Sequence, residues 1–258
     1  MDVPLLIESL GSTPSATARA TGLARSTIQR IHNGTSSPSM ETLRELALAA
    51  GYDIDVQLTP ASDPAAAVAA RVIVDPATPT LQDLEDWEMT TPAEVRAIKQ
   101  WMARLERQAG DDRRRLLELA GRYSAPQHRR GARFFAAKPG LTQEQTIEVA
   151  NSALLPLSGA LSSVAAARVY LGHAPNPGPL VVWSTDVDAV AERLAVTMRE
   201  VAGYQPAGVL VAPTMQAYLI DMLVPPNWEH QIVSPIQAAI DLHGLGYDQL
   251  ADEITEGW

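Results

Sequence analysis

Residues 14–51 read PSATARATGLARSTIQRIHNGTSSPSMETLRELALAAG, three short helical stretches cut by glycine and serine. Thr13 is an N-cap with Pro14 at the first helical position, and the stretch 15–21 runs into Gly22, a residue suited to a left-handed turn. A second helix, 24–32, follows after a very short turn and stops at Asn33-Gly34, a helix-ending pair. The third opens with Ser37 as cap, Pro38 at the first position and Glu41 in the first turn. Its Met40, Leu43, Leu46, Ala47 and Ala50 recur at helical spacing until Gly51. Residues 53–58 then alternate polar and apolar, which predicts a short strand.

On the second helix Ile28 and Ile31 fall where it packs on its neighbours, and Arg25, Ser26, Thr27, Gln29 and Arg30 share the other side. An arginine can hold guanine O6 and N7 together, and a glutamine can hold adenine N6 and N7, so this face suits a DNA major groove. Arg25, Thr27 and Gln29 are the candidates for bases, with Ser26 and Arg30 shared between bases and phosphates; the alternative is a solvated helix face.

Ala18, Gly22-Leu23, Ser26-Thr27-Ile28, Ile31, Asn33-Gly34, Pro38, Thr42-Leu43 and Leu46-Ala47 together resemble the Cro/repressor-type (XRE) helix-turn-helix. The resemblance implies a DNA-binding domain over 1–60 with 24–32 as recognition helix. It also places Asn33, Thr35 and Ser36 where such proteins touch the DNA backbone, although loop punctuation explains the same residues. Two positions depart from the pattern: Pro14 stands where many relatives carry a DNA-contacting glutamine, and Thr17 where they carry a buried leucine. The stretch 53–58 resembles an extension that helps dimerise repressors doubling as antitoxins; a strand that closes the small domain is the other reading.

The chain has 258 residues, 46% hydrophobic, enough for two modest domains with cores of their own. No apolar run reaches the roughly 18 to 20 residues of a membrane span, and the start lacks the features of a secretory signal, so the expectation is a cytoplasmic protein. The absence of cysteine excludes disulfides, thiolate metal sites and cysteine nucleophiles. Residues 139–258 hold three arginines, no lysine and thirteen acids, and so carry the whole net charge of −10. Residues 1–138 are neutral in sum, with a basic region around Arg104, Arg107, Arg113, Arg114, Arg115, Arg122, Arg129, Arg130, Arg133 and Lys138. Such asymmetry points to different partners for the two ends.

The expected architecture is multidomain: a mainly α chain with an N-terminal helix-turn-helix bundle and an α/β C-terminal domain. Residues 61–91, rich in Pro, Ala, Asp and Thr, read as a linker with short helices over 64–74 and 81–87. Residues 92–138 read as a basic helical hairpin, its first helix capped by Thr91-Pro92 and lined by Val95, Ile98, Met102 and Leu105, its second spanning 111–122. From 139 to 258 helices over 143–154, 159–170, 187–201, 235–242 and 247–256 are expected between strands at 180–183 and 208–212. The run Ile232-Val233-Ser234-Pro235-Ile236-Gln237, then Asp241-Leu242, Tyr247, Ala251 and Ile254, resembles the closing motif of the AbiEi-type antitoxin family. Ser158-Gly159, Ala165-Ala166 and Tyr170 extend that likeness. It implies an antitoxin whose partner is a nucleotidyltransferase toxin.

Arg113, Arg114, Arg115, Arg129, Arg130 and Arg133, with Tyr123, Phe134 and Phe135 as stacking groups, form a possible second nucleic-acid contact, for single-stranded DNA or flanking phosphates. A solvated face, or a surface that meets the acidic domain of a second subunit, explains the same residues. Catalytic constellations are weak. Histidines 32, 128, 173, 230 and 243 show no metal spacing, Asp186-x-Asp188 lacks the glycine-serine turn of a nucleotidyltransferase and reads as a helix cap, and Gly244-Leu245-Gly246 reads as a turn between helices. Ser158 lacks a nucleophile elbow. The expectation is therefore a homodimeric repressor reading an inverted repeat in double-stranded DNA, with no enzymatic activity, cofactor, metal or membrane contact. The alternative is a regulator whose C-terminal domain senses a small molecule or single-stranded DNA.

Overall fold

The computed structural model describes residues 3–10, 13–75, 80–86, 90–155, 157–215, 217, 219, 221–224 and 231–257. Met1, Asp2, Trp87 and His230, which entered the sequence reading, lie outside the described residues. Backbone contacts divide the chain into two compact units, Met1–Thr59 and Pro60–Trp258. The first is all helical and the second is built on a mixed five-stranded sheet.

Unit 1 contains α1 (Val3–Leu10), α2 (Pro14–Thr21), α3 (Arg25–His32) and α4 (Met40–Ala49). Thr13 caps α2 by accepting from the Ala16 amide, and Gly22 ends it at φ +72, a left-handed conformation that glycine adopts without a Cβ penalty. The core is Leu6, Ile28, Ile31, Leu46 and Ala47, which face one another from α1, α3 and α4. Thr17 is fully buried among them, and its hydroxyl is satisfied within α2 by the Thr13 carbonyl at 3.4 Å, so a small polar side chain serves at a position the resemblance would fill with leucine. Two expectations are corrected. The cap of α4 is Ser39, whose hydroxyl accepts from the Thr42 amide, not Ser37. Residues 53–58 form no strand and pair with none among the described residues, because alternation alone supplies no hydrogen-bonding neighbour.

Unit 2 begins with α5 (Pro64–Val74), α6 (Leu81–Asp86), α7 (Pro92–Ala109) and α8 (Arg113–Ser124). Within 61–91, expected to be a linker, α5 lies in the core. Its residues 65–72 are all buried, and its Arg71, 1% exposed, bonds the Ala217 carbonyl at 3.2 Å and pairs with Asp221. An alanine-rich helix that is apolar but for one arginine belongs inside a domain, yet it has no amphipathic period to announce itself. Trp101 of α7 donates to the α5 cap Asp63 at 2.7 Å, and α7 itself starts with a capping box between Thr91 and Glu94. The stretches 92–138 and 139–258, expected as separate domains, fall within this one unit.

A 3-10 turn (Pro126–His128) leads to β1 (Arg133–Ala136), then come α9 (Gln143–Leu154), β2 (Gly159–Ser163), α10 (Val164–Leu171), β3 (Leu180–Ser184), α11 (Val187–Thr197), β4 (Arg199–Val201), β5 (Val209–Pro213), α12 (Pro235–Gly244) and α13 (Asp248–Ile254). The strand order is β2-β3-β5-β1-β4, with β3 and β5 parallel and the remaining pairs antiparallel. Every residue of β2 and β3 is buried, which requires cover on both faces and explains their lack of alternation. For that reason β2 reads as helix in the sequence; the helix expected over 159–170 is β2 followed by α10, and that over 187–201 is α11 followed by β4. Between β2 and α10, Ser163 holds φ +60 and ψ −116, a strained conformation for a residue with a side chain. The helices α8 and α12 meet backbone to backbone at Gly121, where a Cβ would sit 2.6 Å from the Ile240 carbonyl oxygen.

Candidate nucleic-acid interface

The helix α3 follows α2 across Gly22, Leu23 and Ala24, and Ala24 provides the extended N-cap. With Ile28 and Ile31 sunk in the core, helical geometry turns Arg25, Ser26, Gln29 and Arg30 outward; all four are exposed and Thr27 is half-buried. Residues 9–40 hold three arginines and no acid at all, so this face is cationic within a chain of net charge −10. That acid-free window is a sequence signal the helix reading alone passes over.

The end of α3 is closed by its own side chains. The Asn33 amide donates to the Gln29 carbonyl, and both the amide and the hydroxyl of Thr35 donate to the Arg30 carbonyl, at 2.9 and 3.0 Å. Gln29 Nε2 donates to Asn33 Oδ1 at 3.0 Å, and His32 Nδ1 lies 3.5 Å from the same oxygen. The Ser36 hydroxyl reaches the Ser37 carbonyl at 3.5 Å. Of the three residues considered for the DNA backbone, Asn33 and Thr35 are thus engaged in ordering α3 and its exit.

In the second arginine cluster, considered for a further nucleic-acid contact, several members are engaged by acids or by the core. Arg114 bonds Asp252 of α13 at 2.8–2.9 Å, Arg115 pairs with Glu118 at 3.0 Å, and Arg133 is gripped by Glu200 at 2.7–2.8 Å with Asp188 at 3.1 Å. Glu200 holds the Arg133 guanidinium well above its ordinary range, and Arg133 pulls the Glu200 carboxyl down. Arg129 is buried; it donates to the Ser124 carbonyl at 3.0 Å and lies 5.2 Å from the Trp183 ring centre. Phe135 is in the core. Only Arg113 and Arg130 of the six remain exposed without an ion pair among the described residues. The acids of unit 2, many of them close to cations in space, are what disperse the cluster.

Beneath Arg129 lies a site that the sequence left unread. Asp241, 1% exposed, accepts from Ser162 Oγ at 2.5 Å, Trp183 Nε1 at 2.7 Å and Gln237 Nε2 at 2.8 Å. Burial pushes its carboxyl up to about 6 despite the three donors and the nearby Arg129. Asp186 caps α11 by accepting from the Ala189 amide at 3.0 Å, and Asp188 goes to Arg133, so this acid pair is spent on structure. Among the described residues no group of three or more His, Asp or Glu is placed to hold a metal ion, and no helix is long and apolar enough to cross a membrane.

A helix-turn-helix family model matches residues 5–57, which spans α1 to α4 and takes in the whole of the exposed α3 face. Comparison with curated proteins and with solved structures found no match to either. The N-terminal unit therefore carries a helix-turn-helix, which supports a DNA-binding role in transcription regulation. The matched residues lie within unit 1.

Proposed function

We propose that the chain is a cytoplasmic, sequence-specific repressor that binds an inverted repeat as a homodimer, and that unit 2 is an antitoxin restraining a nucleotidyltransferase. The observation that carries the DNA reading is the α3 face, where Arg25, Ser26, Gln29 and Arg30 are exposed over a buried Ile28 and Ile31. Dimerisation is supported by large apolar side chains left in solvent on unit 1: Leu48, Tyr52, Val56 and Leu58 are all exposed, Leu58 at 96%. One recognition helix touches few base pairs, and two held a helical turn apart give a useful specificity ratio. The antitoxin part rests on the sequence likeness from Ser158 to Ile254 and on the acidic surface of unit 2, and it assigns that unit no catalytic role.

Selection from random 20-base-pair duplexes by the full chain, read afterwards by fluorescence anisotropy, tests the first part. A two-fold symmetric site is expected, and Arg25→Ala or Gln29→Ala weakens binding to it by about 1–3 kcal/mol each. No enriched site, or affinities untouched by both changes, overturns the assignment. Co-purification of a nucleotidyltransferase from the expressed operon tests the second part. If none is encoded beside this gene, a ligand-responsive regulator is the better reading, favoured by a pocket of about 480 Å3 walled by Pro175, Tyr247 and Leu250 with His173 and Glu253 at its rim.

A further inference from the structure

We infer that Asn33 is a positioning residue for Gln29, and that it sets the recognition helix to accept adenine and refuse guanine at one position of the site. The inference rests on α3 being the reading helix. Gln29 and Asn33 stand four residues apart on the same exposed side of α3, the spacing at which helical side chains meet, and Gln29 Nε2 donates to Asn33 Oδ1 at 3.0 Å. Asn33 itself is held on a fixed backbone. Its amide is bonded to the Gln29 carbonyl at 3.0 Å, Gly34 follows at φ +67, and Thr35 closes on Arg30 from two atoms.

A free glutamine amide turns easily about its last torsion and can present either of two polarities to a base. Once one N–H of Gln29 is given to Asn33, the polarity is set: the second N–H and Oε1 remain as one donor and one acceptor side by side. Adenine offers the complement in the major groove, an N7 acceptor and an N6 donor. Guanine offers N7 and O6, two acceptors, and O6 would face Oε1 with lone pair against lone pair. Asn33 does this without touching the base, and the orientation is in place before DNA arrives, so less side-chain freedom is lost on binding.

The test uses the duplex selected by the full chain and the same duplex with its adenines changed singly to guanine, in anisotropy titrations at two salt concentrations, with circular dichroism as the check on folding. At the position read by Gln29, Asn33→Ala lowers the adenine-to-guanine affinity ratio by about fivefold or more. Asn33→Asp keeps Oδ1 as acceptor, so it retains that ratio to within about twofold while its added negative charge weakens binding to both duplexes. If Asn33→Ala reduces affinity equally for every duplex and leaves the salt dependence as it was, Asn33 is a neutral contact to the DNA backbone and the inference is wrong. An unchanged ratio in folded Asn33→Ala, or a ratio lost equally in Asn33→Asp, overturns it too. Failure to select any site would instead overturn the DNA reading, and this inference with it.

Discussion

Unit 1 leaves Arg19, Arg25 and Arg30 exposed and without ion pairs among the described residues, whereas unit 2 turns Arg71 and Arg129 inward and sets Arg114, Arg115, Arg133 and Arg168 against acids. The difference follows from the company each keeps. No acid occurs between residues 9 and 40, while Arg71, Arg114 and Arg133 fold against Asp221, Asp252, Glu200 and Asp188, acids that lie far away in sequence. A cation is available to a phosphate only if the fold has not already supplied its counter-charge. Two histidines of unit 2 also meet acids of α13, His243 with Asp248 at 2.8 Å and His173 with Glu253 at 3.4 Å.

The largest expected effect tests the inward half of that contrast. Arg71→Ala leaves Asp221 and the Ala217 carbonyl without their buried partner and should destabilise unit 2 by about 3–5 kcal/mol. Urea unfolding followed by tryptophan fluorescence measures it cleanly, because all five tryptophans lie beyond residue 59. A loss under about 1 kcal/mol would mean the pair behaves as a surface contact and the contrast between the units fails.

Next in size is the pH dependence set by Asp241. Its carboxyl rises from an ordinary 3.8 to about 6 in the folded unit, so the folded state holds the proton more tightly than the unfolded chain. The stabilisation this group supplies is complete below about pH 4 and is lost as pH climbs through 6, a difference of about 3 kcal/mol. Asp241→Asn should flatten this part of the stability curve and raise stability at neutral pH. The substitution keeps an acceptor for Ser162 and Trp183, and its new N–H finds Gln237 Oε1, which has no partner among the described residues, once that amide turns over. Unfolding titrations from pH 4 to 7.5 that show the same slope for both proteins would rule Asp241 out as the source.

The smallest effect probes the outward half. Arg133→Ala should cost less than about 1 kcal/mol of stability, since its pairs with Glu200 and Asp188 are largely in solvent. It should leave affinity for the selected duplex unchanged, in contrast to Arg25→Ala. An equal loss from both substitutions would restore the arginines of unit 2 as a nucleic-acid surface.

The helix-turn-helix was legible because its signals are local. Thr13-Pro14, Gly22, the spacing of Ile28 and Ile31 and the exit at Asn33-Gly34 each act within one turn of chain, and capping and periodicity need no knowledge of what lies elsewhere. The same locality made α7 readable from Thr91-Pro92, and the structure shows like caps at Thr142 for α9 and Ser234 for α12. What only the tertiary structure decided is where long-range partners stand. The stretch α5 becomes core and not linker because unit 2 surrounds an all-apolar helix, β2 becomes strand because β3 pairs with it, and β1 exists because β4 and β5 flank four residues that carry no period of their own. The roles of Arg133 and Asp241 were likewise settled by residues 67 and 79 positions away, since electrostatic and hydrogen-bonding partners are chosen in space. By itself the sequence determined the helix α3 and the residue types on its outer side; the fold decided which charges stand free of a counter-charge.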